Sequence, residues 1–64
     1  MGITLFSFII TSPTGDVLDF GTYHNALVAE DTASDYPATA PGTLLTVVRH
    51  DDDGSHEVIV KRVL

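Results

Sequence analysis

Apolar residues along this chain fall into four short runs of β type and one stretch of helical period. The first run, Thr4 to Thr11, reads TLFSFIIT and is rich in β-branched and aromatic residues. Alternation puts Thr4, Phe6, Phe8 and Ile10 on one face and Ile3, Leu5, Ser7 and Ile9 on the other. Both faces are largely apolar. The run therefore reads as a central strand with both faces covered, or with one face covered by a second subunit.

Ser12-Pro13-Thr14-Gly15 supplies turn chemistry. Proline presets the backbone of a type I turn, and glycine takes the left-handed residue that follows. A three-residue loop closed by a bulge is expected. Its register pairs Ser12 with Asp16, Ile10 with Leu18, and Phe8 with Phe20. Asp19 then faces the opposite side of a strand near 16–23.

Residues 24–35 carry a helical period. Ala26, Ala29, Ala33 and Tyr36 recur at three- and four-residue steps, and the small alanines let the helix lie close to a sheet. Glu30, Asp31 and Asp35 stand in its second half, where carboxylates oppose the helix macrodipole. Pro37 ends the helix, and the segment to Gly42 is a stiff extended connector.

Strands near 43–51 and 56–63 form the second hairpin. Asp53-Gly54 predicts a two-residue type I′ turn, which pairs Val48 with Ile59, Leu44 with Val63, Val47 with Val60, His50 with Glu57, and Asp51 with His56. The predicted fold is a single α+β domain over residues 1–64. It is a four-stranded antiparallel sheet with one helix on one face, in the order β-β-α-β-β. The expected core is Phe6, Phe8, Ile10, Leu18, Phe20, Ala29, Leu44, Val48 and Ile59.

Size narrows the functional classes. A chain of 64 residues buries only about 60% of its unfolded surface, and with no cysteine it has no disulfide to compensate. An apolar fraction of 44% argues against disorder. The first apolar run stops at Ser12-Pro13, too short to span a bilayer, and residues 1–48 contain no Lys or Arg for a signal-peptide n-region. The expected setting is cytoplasmic, without membrane contact.

Charge changes the picture most. The formal net charge is −6, of which −5 falls in residues 1–48. Such a surface repels nucleic acid and attracts a protein with a basic surface. Asp16, Asp19, Glu30, Asp31 and Asp35 are the leading candidates for partner contact, with Asp51, Asp52 and Asp53 second.

Candidate chemistry is sparse. The run from Asp51 to Glu57 looks like a cation loop, but an EF-hand needs alternating acids between helices, and here strands flank contiguous ones. His50 and His56 flank one turn and, in the register above, face opposite ways. His24 has no definable relation to them. No GxSxG, HExxH or phosphate loop occurs. No enzyme, metal or cofactor is expected.

An acidic α+β domain of this length without a chemical motif resembles, in size, charge and architecture, small phage-encoded antagonists of host machinery, anti-CRISPR proteins among them. That resemblance implies carboxylates occupying positions that nucleic-acid phosphates take on a target. The alternative is a homo-oligomeric structural or accessory domain. Its dimer core is the apolar row Ile3, Leu5 and Ile9, and its acids only confer solubility.

Overall fold

The computed structural model describes residues 2–64. Its elements are β1 (Leu5–Thr11), β2 (Val17–Tyr23), α1 (Ala26–Ser34), β3 (Leu44–His50) and β4 (His56–Val63). They form one four-stranded antiparallel sheet in the order β2-β1-β3-β4. The expected order and architecture are those observed. β4 has the expected bounds, β2 and β3 are shorter by a residue at one or both ends, and β1 begins at Leu5.

Both hairpins close in the same way. In the first, the Ser12 amide donates to Asp16 O at 2.8 Å and the Gly15 amide to Ser12 O at 2.9 Å. In the second, the Asp51 amide donates to Ser55 O at 2.9 Å and the Gly54 amide to Asp51 O at 3.1 Å. Gly15 and Gly54 take φ of 95° and 88°, and no other residue type among those described has positive φ. Each loop is thus a type I turn followed by a left-handed glycine. The expected type I′ turn over Asp53-Gly54 is corrected, because it needs Asp53 at positive φ, which costs an L-residue more than a longer loop.

A bulge then resets the register in each hairpin. In the first, Ile10 pairs with Asp19 and Thr11 with Val17, which leaves Leu18 as the extra residue. Phe8 consequently faces Gly21, and Phe20 faces Ile9. The expected pairs Ile10–Leu18 and Phe8–Phe20 do not form, and Phe8 and Phe20 lie on opposite faces. Asp19 shares the face of Ile10 rather than opposing it. Glycine supplies the physical reason. A Cβ built on Gly21 would lie 2.6 Å from the Phe8 ring, so the ring occupies space that only glycine leaves. Phe8 also stacks on Tyr23, with ring centroids 6.1 Å apart and planes at 16°.

In the second hairpin Leu44 pairs with Val63 and Val47 with Val60, as expected. Beyond them Ile59 is the extra residue, so Val48 meets Val58, Arg49 meets Glu57 and His50 meets His56. The expected pairs Val48–Ile59, His50–Glu57 and Asp51–His56 are corrected.

The helix begins at Asn25, whose side-chain Oδ1 accepts from the amides of Leu27 at 2.8 Å and Val28 at 3.3 Å. These are donors that a helix start otherwise leaves unpaired. Starting two residues later than expected, α1 packs on β1, β2 and β3 through Ala29 and Ala33, both fully buried. The two alanines, Phe8, Ile10, Leu45 and Val47 form the core, with Phe6, Tyr23, Tyr36, Val60 and Leu64 packed around it.

Four expected core residues are not buried, and a fifth, Val48, is buried on the opposite face of the sheet. Phe20 is 73% exposed, Leu18 45% and Ile59 38%, and Leu44 is half-buried. Leu45 and Val47 hold the places assigned to Leu44 and Val48. The bulges explain Phe20, Leu18 and Ile59. In β3 every position but Thr46 is apolar from Leu44 to Val48, so alternation cannot choose the inward face. Thr43 is buried too, and its hydroxyl donates to Ala40 O at 2.7 Å.

Candidate functional site

The nine-residue α1 is about 14 Å long and about 10 Å wide, whereas four strands at ~4.8 Å spacing make a sheet nearly twice that width. One helix therefore covers one face incompletely and leaves the other bare. Pairing defines the bare face. Leu5, Ser7, Ile9 and Thr11 of β1 share it with Val17, Phe20 and Thr22 of β2. Leu44, Thr46, Val48 and His50 come from β3, and His56, Val58, Lys61 and Val63 from β4.

This face is apolar and open. Val17, Phe20, Val58 and Val63 are each more than half exposed. Val48, on a central strand, is screened by its neighbours. Ser7 and Thr22 satisfy each other across the β1–β2 pair, with their hydroxyl oxygens 3.0 Å apart. Ser7, Phe8, Ile9, Val17, Phe20 and His50 line a shallow open depression of about 470 Å³. Among the strand residues on this face, Lys61 alone carries a formal charge. No carboxylate is present.

The carboxylates lie elsewhere, and the fold does not gather them. Asp16 is at the first turn and Asp51 to Asp53 at the second. Because β1 and β3 are antiparallel, with Leu5 opposite His50 and Thr11 opposite Leu44, the two turns lie at opposite ends of the sheet. Asp19 and Glu57 are on the helix-bearing face, as their partners Ile10 and Arg49 show.

Several of these acids already have partners. Glu30 is 3.5 Å from the Arg62 guanidinium, which also donates to the Ser34 hydroxyl. Arg49 lies between Asp51, at 3.6 Å, and Glu57, at 3.5 Å. Glu30 thus gains from a strand cation what it loses to the helix macrodipole. Asp31 and Asp35 are exposed and form no ion pair among the described residues.

The second turn ties up its own oxygens. Asp53 Oδ1 accepts from the Ser55 hydroxyl at 2.6 Å and the Ser55 amide at 2.8 Å. These two donors, the hydroxyl foremost, hold the Asp53 carboxyl below its ordinary value. A depressed folded-state value means that the bonds stabilise the turn above the unfolded-state value. That contribution is lost as the pH falls through the folded one. Substitution Ser55→Ala is expected to move the Asp53 midpoint upward in a carboxyl NMR titration. It should remain below the unfolded value, because the amide donor stays. An unchanged midpoint would show that the hydroxyl bond is not made in solution.

The histidines are arranged differently from expectation. His50 and His56 do not face opposite ways. They are direct cross-strand partners on the bare face, with ring centroids 5.9 Å apart and planes tilted by 43°. His24 is exposed just before the helix cap. Sequence reasoning missed this pair because the assumed type I′ turn moved it one residue out of register. Among the described residues no group of three or more His, Cys, Asp or Glu side chains converges. No helix among the described residues is long and apolar enough to cross a membrane. Compared with known protein families, curated proteins and solved structures, the chain matches none.

Proposed function

We propose that the chain is a small acidic protein-interaction module that binds through the helix-free face of its sheet, and that its first partner there is a second copy of itself. The carrying observation is the composition of that face. A protein of net charge −6 places no strand carboxylate on one broad surface and lines that surface with exposed Val, Phe and Thr side chains. Exposed apolar patches of this kind mark interaction sites. A basic partner would be met by acids, and this face offers none. An identical apolar face matches it, as a two-fold interface requires.

Strands of seven and eight residues, four abreast, give a face of roughly 25 by 19 Å, about 500 Å² in outline, at the small end of protein interfaces. Two such sheets would pack about 10 Å apart, as in a β-sandwich. Both helices would then lie outside, with Asp31 and Asp35 in solvent.

That arrangement leaves room for a second reading, antagonism of a nucleic-acid-binding complex of the anti-CRISPR kind. The unpaired Asp31 and Asp35 favour it, and the basic partner would dock on the helix side.

Sedimentation equilibrium of the native chain tests the main proposal. A dimer is expected at micromolar concentration. Phe20→Asp and Val58→Asp should be monomers with unchanged far-ultraviolet circular dichroism, since both side chains are exposed. Asp31→Lys with Asp35→Lys should leave the dimer intact and weaken only contacts with a basic protein. A native chain that stays monomeric at millimolar concentration would overturn the self-association reading.

A further inference from the structure

We infer that His50 and His56 form a two-imidazole site for a borderline divalent transition-metal ion of the zinc, nickel or copper class. The two residues are opposed across β3 and β4, so their side chains leave the same face side by side. Their ring centroids are 5.9 Å apart. Two imidazoles bound at ~2.0–2.1 Å to a tetrahedral ion have ring centres about 5.3 Å apart. Rotations about the side-chain bonds can close the remaining few tenths of an ångström, because His56 is exposed and His50 only half-buried.

The surroundings select the metal class. Imidazole suits zinc, copper and nickel, whereas calcium and magnesium need several oxygen ligands. The acids closest in sequence are turned away. Glu57 shares the helix-bearing face with Arg49, and Asp51 is held by Arg49. Leu5 lies opposite His50 on the other side of β3, so the pair sits at the end of the apolar face. The chain offers two ligands there and leaves the remaining coordination positions open to water or to another molecule. Both ligands come from one hairpin, so the pair needs no second copy to form, and it lies at the end of the face proposed above for self-association.

The test uses the full untagged chain and zinc chloride, with calcium chloride as control. In proton NMR the imidazole signals of His50 and His56 should shift together on adding submillimolar zinc, while those of His24 stay in place. Calcium should move none of them. By isothermal titration calorimetry, His50→Gln and His56→Gln should each weaken zinc binding roughly tenfold or more, because the second imidazole binds intramolecularly once the first is engaged. His24→Gln should leave the affinity unchanged. Equal shifts at all three histidines, or a native affinity matched by either single variant, would show independent single-ligand binding and overturn the proposal. The NMR arm needs no variant, so a destabilised mutant cannot obscure the answer.

Discussion

Phe8→Ala is expected to remove most of the folding free energy of this domain. Phe8 is 4% exposed on a central strand, stacks on Tyr23 and covers Gly21. Truncating a buried phenylalanine costs about 3–5 kcal/mol in lost transfer energy and unfilled volume. A chain of 64 residues has roughly 3–10 kcal/mol in total, at 0.05–0.15 kcal/mol per residue. Urea denaturation followed by circular dichroism should therefore show a midpoint near zero denaturant, or no folded baseline. Phe20→Ala is the matched control, the same chemistry one strand away. Phe20 is 73% exposed, so its loss should change stability by less than about 0.5 kcal/mol in dilute, dissociated protein. Comparable losses for the two variants would place both rings in the core and remove the bulge at Leu18.

Gly21→Ala is the second large effect, and it acts by addition of a single methyl group. The new Cβ would lie 2.6 Å from one carbon of the Phe8 ring, 3.2 Å from another and 3.3 Å from the Tyr23 ring. Real side chains do not tolerate the first of these distances, and Phe8 has no solvent-side space to retreat into. Overpacking of this kind costs typically 1–3 kcal/mol. Relief of an unfavourable glycine in a strand would otherwise make the same change stabilising. The sign of the effect therefore decides whether the ring sits over Gly21. A Phe8→Leu background sharpens the measurement. Leucine lacks the ring carbons that meet the new methyl, so the cost of Gly21→Ala should fall there. The coupling read from the double-mutant cycle should lie in the range of touching residues, about 0.5–3 kcal/mol. Additive costs would mean that the two positions are not in contact.

These two residues also mark the boundary between what the sequence holds and what packing adds. Turn chemistry at Pro13-Thr14-Gly15 and at Gly54 located both hairpins, because proline and glycine act through their own backbone. The alanine spacing located α1 for a similar reason, since Ala29 and Ala33 fall on one side of any helix that contains them. Element order, strand count and the antiparallel arrangement follow from those local signals.

The acidic candidates fared differently. Their number and charge can be counted in the sequence, but their grouping cannot. Glu30 looked equivalent to Asp31 and Asp35 until β4 brought Arg62 beside it. Asp16 and the second-ranked Asp51 to Asp53 lie at opposite ends of the sheet, which only the strand pairing reveals.

Which face of each strand looks inward was decided only by tertiary structure. A strand alternates with a period of two, so a single inserted residue reverses every side chain beyond it. Leu18 and Ile59 are those insertions. Nothing in DVLDF or EVIVK marks them, because apolar residues occupy both parities around each site. The inserted residues appear only when Phe8 must find space against Gly21 and when Val48 must meet Val58. The same shift gathered Phe20, Val58 and the His50–His56 pair on one bare face whose strands carry no carboxylate. Local chemistry thus determined the elements and their order. Contacts between residues far apart in the chain determined the register, and through it the surface on which a partner or a metal ion would be recognised.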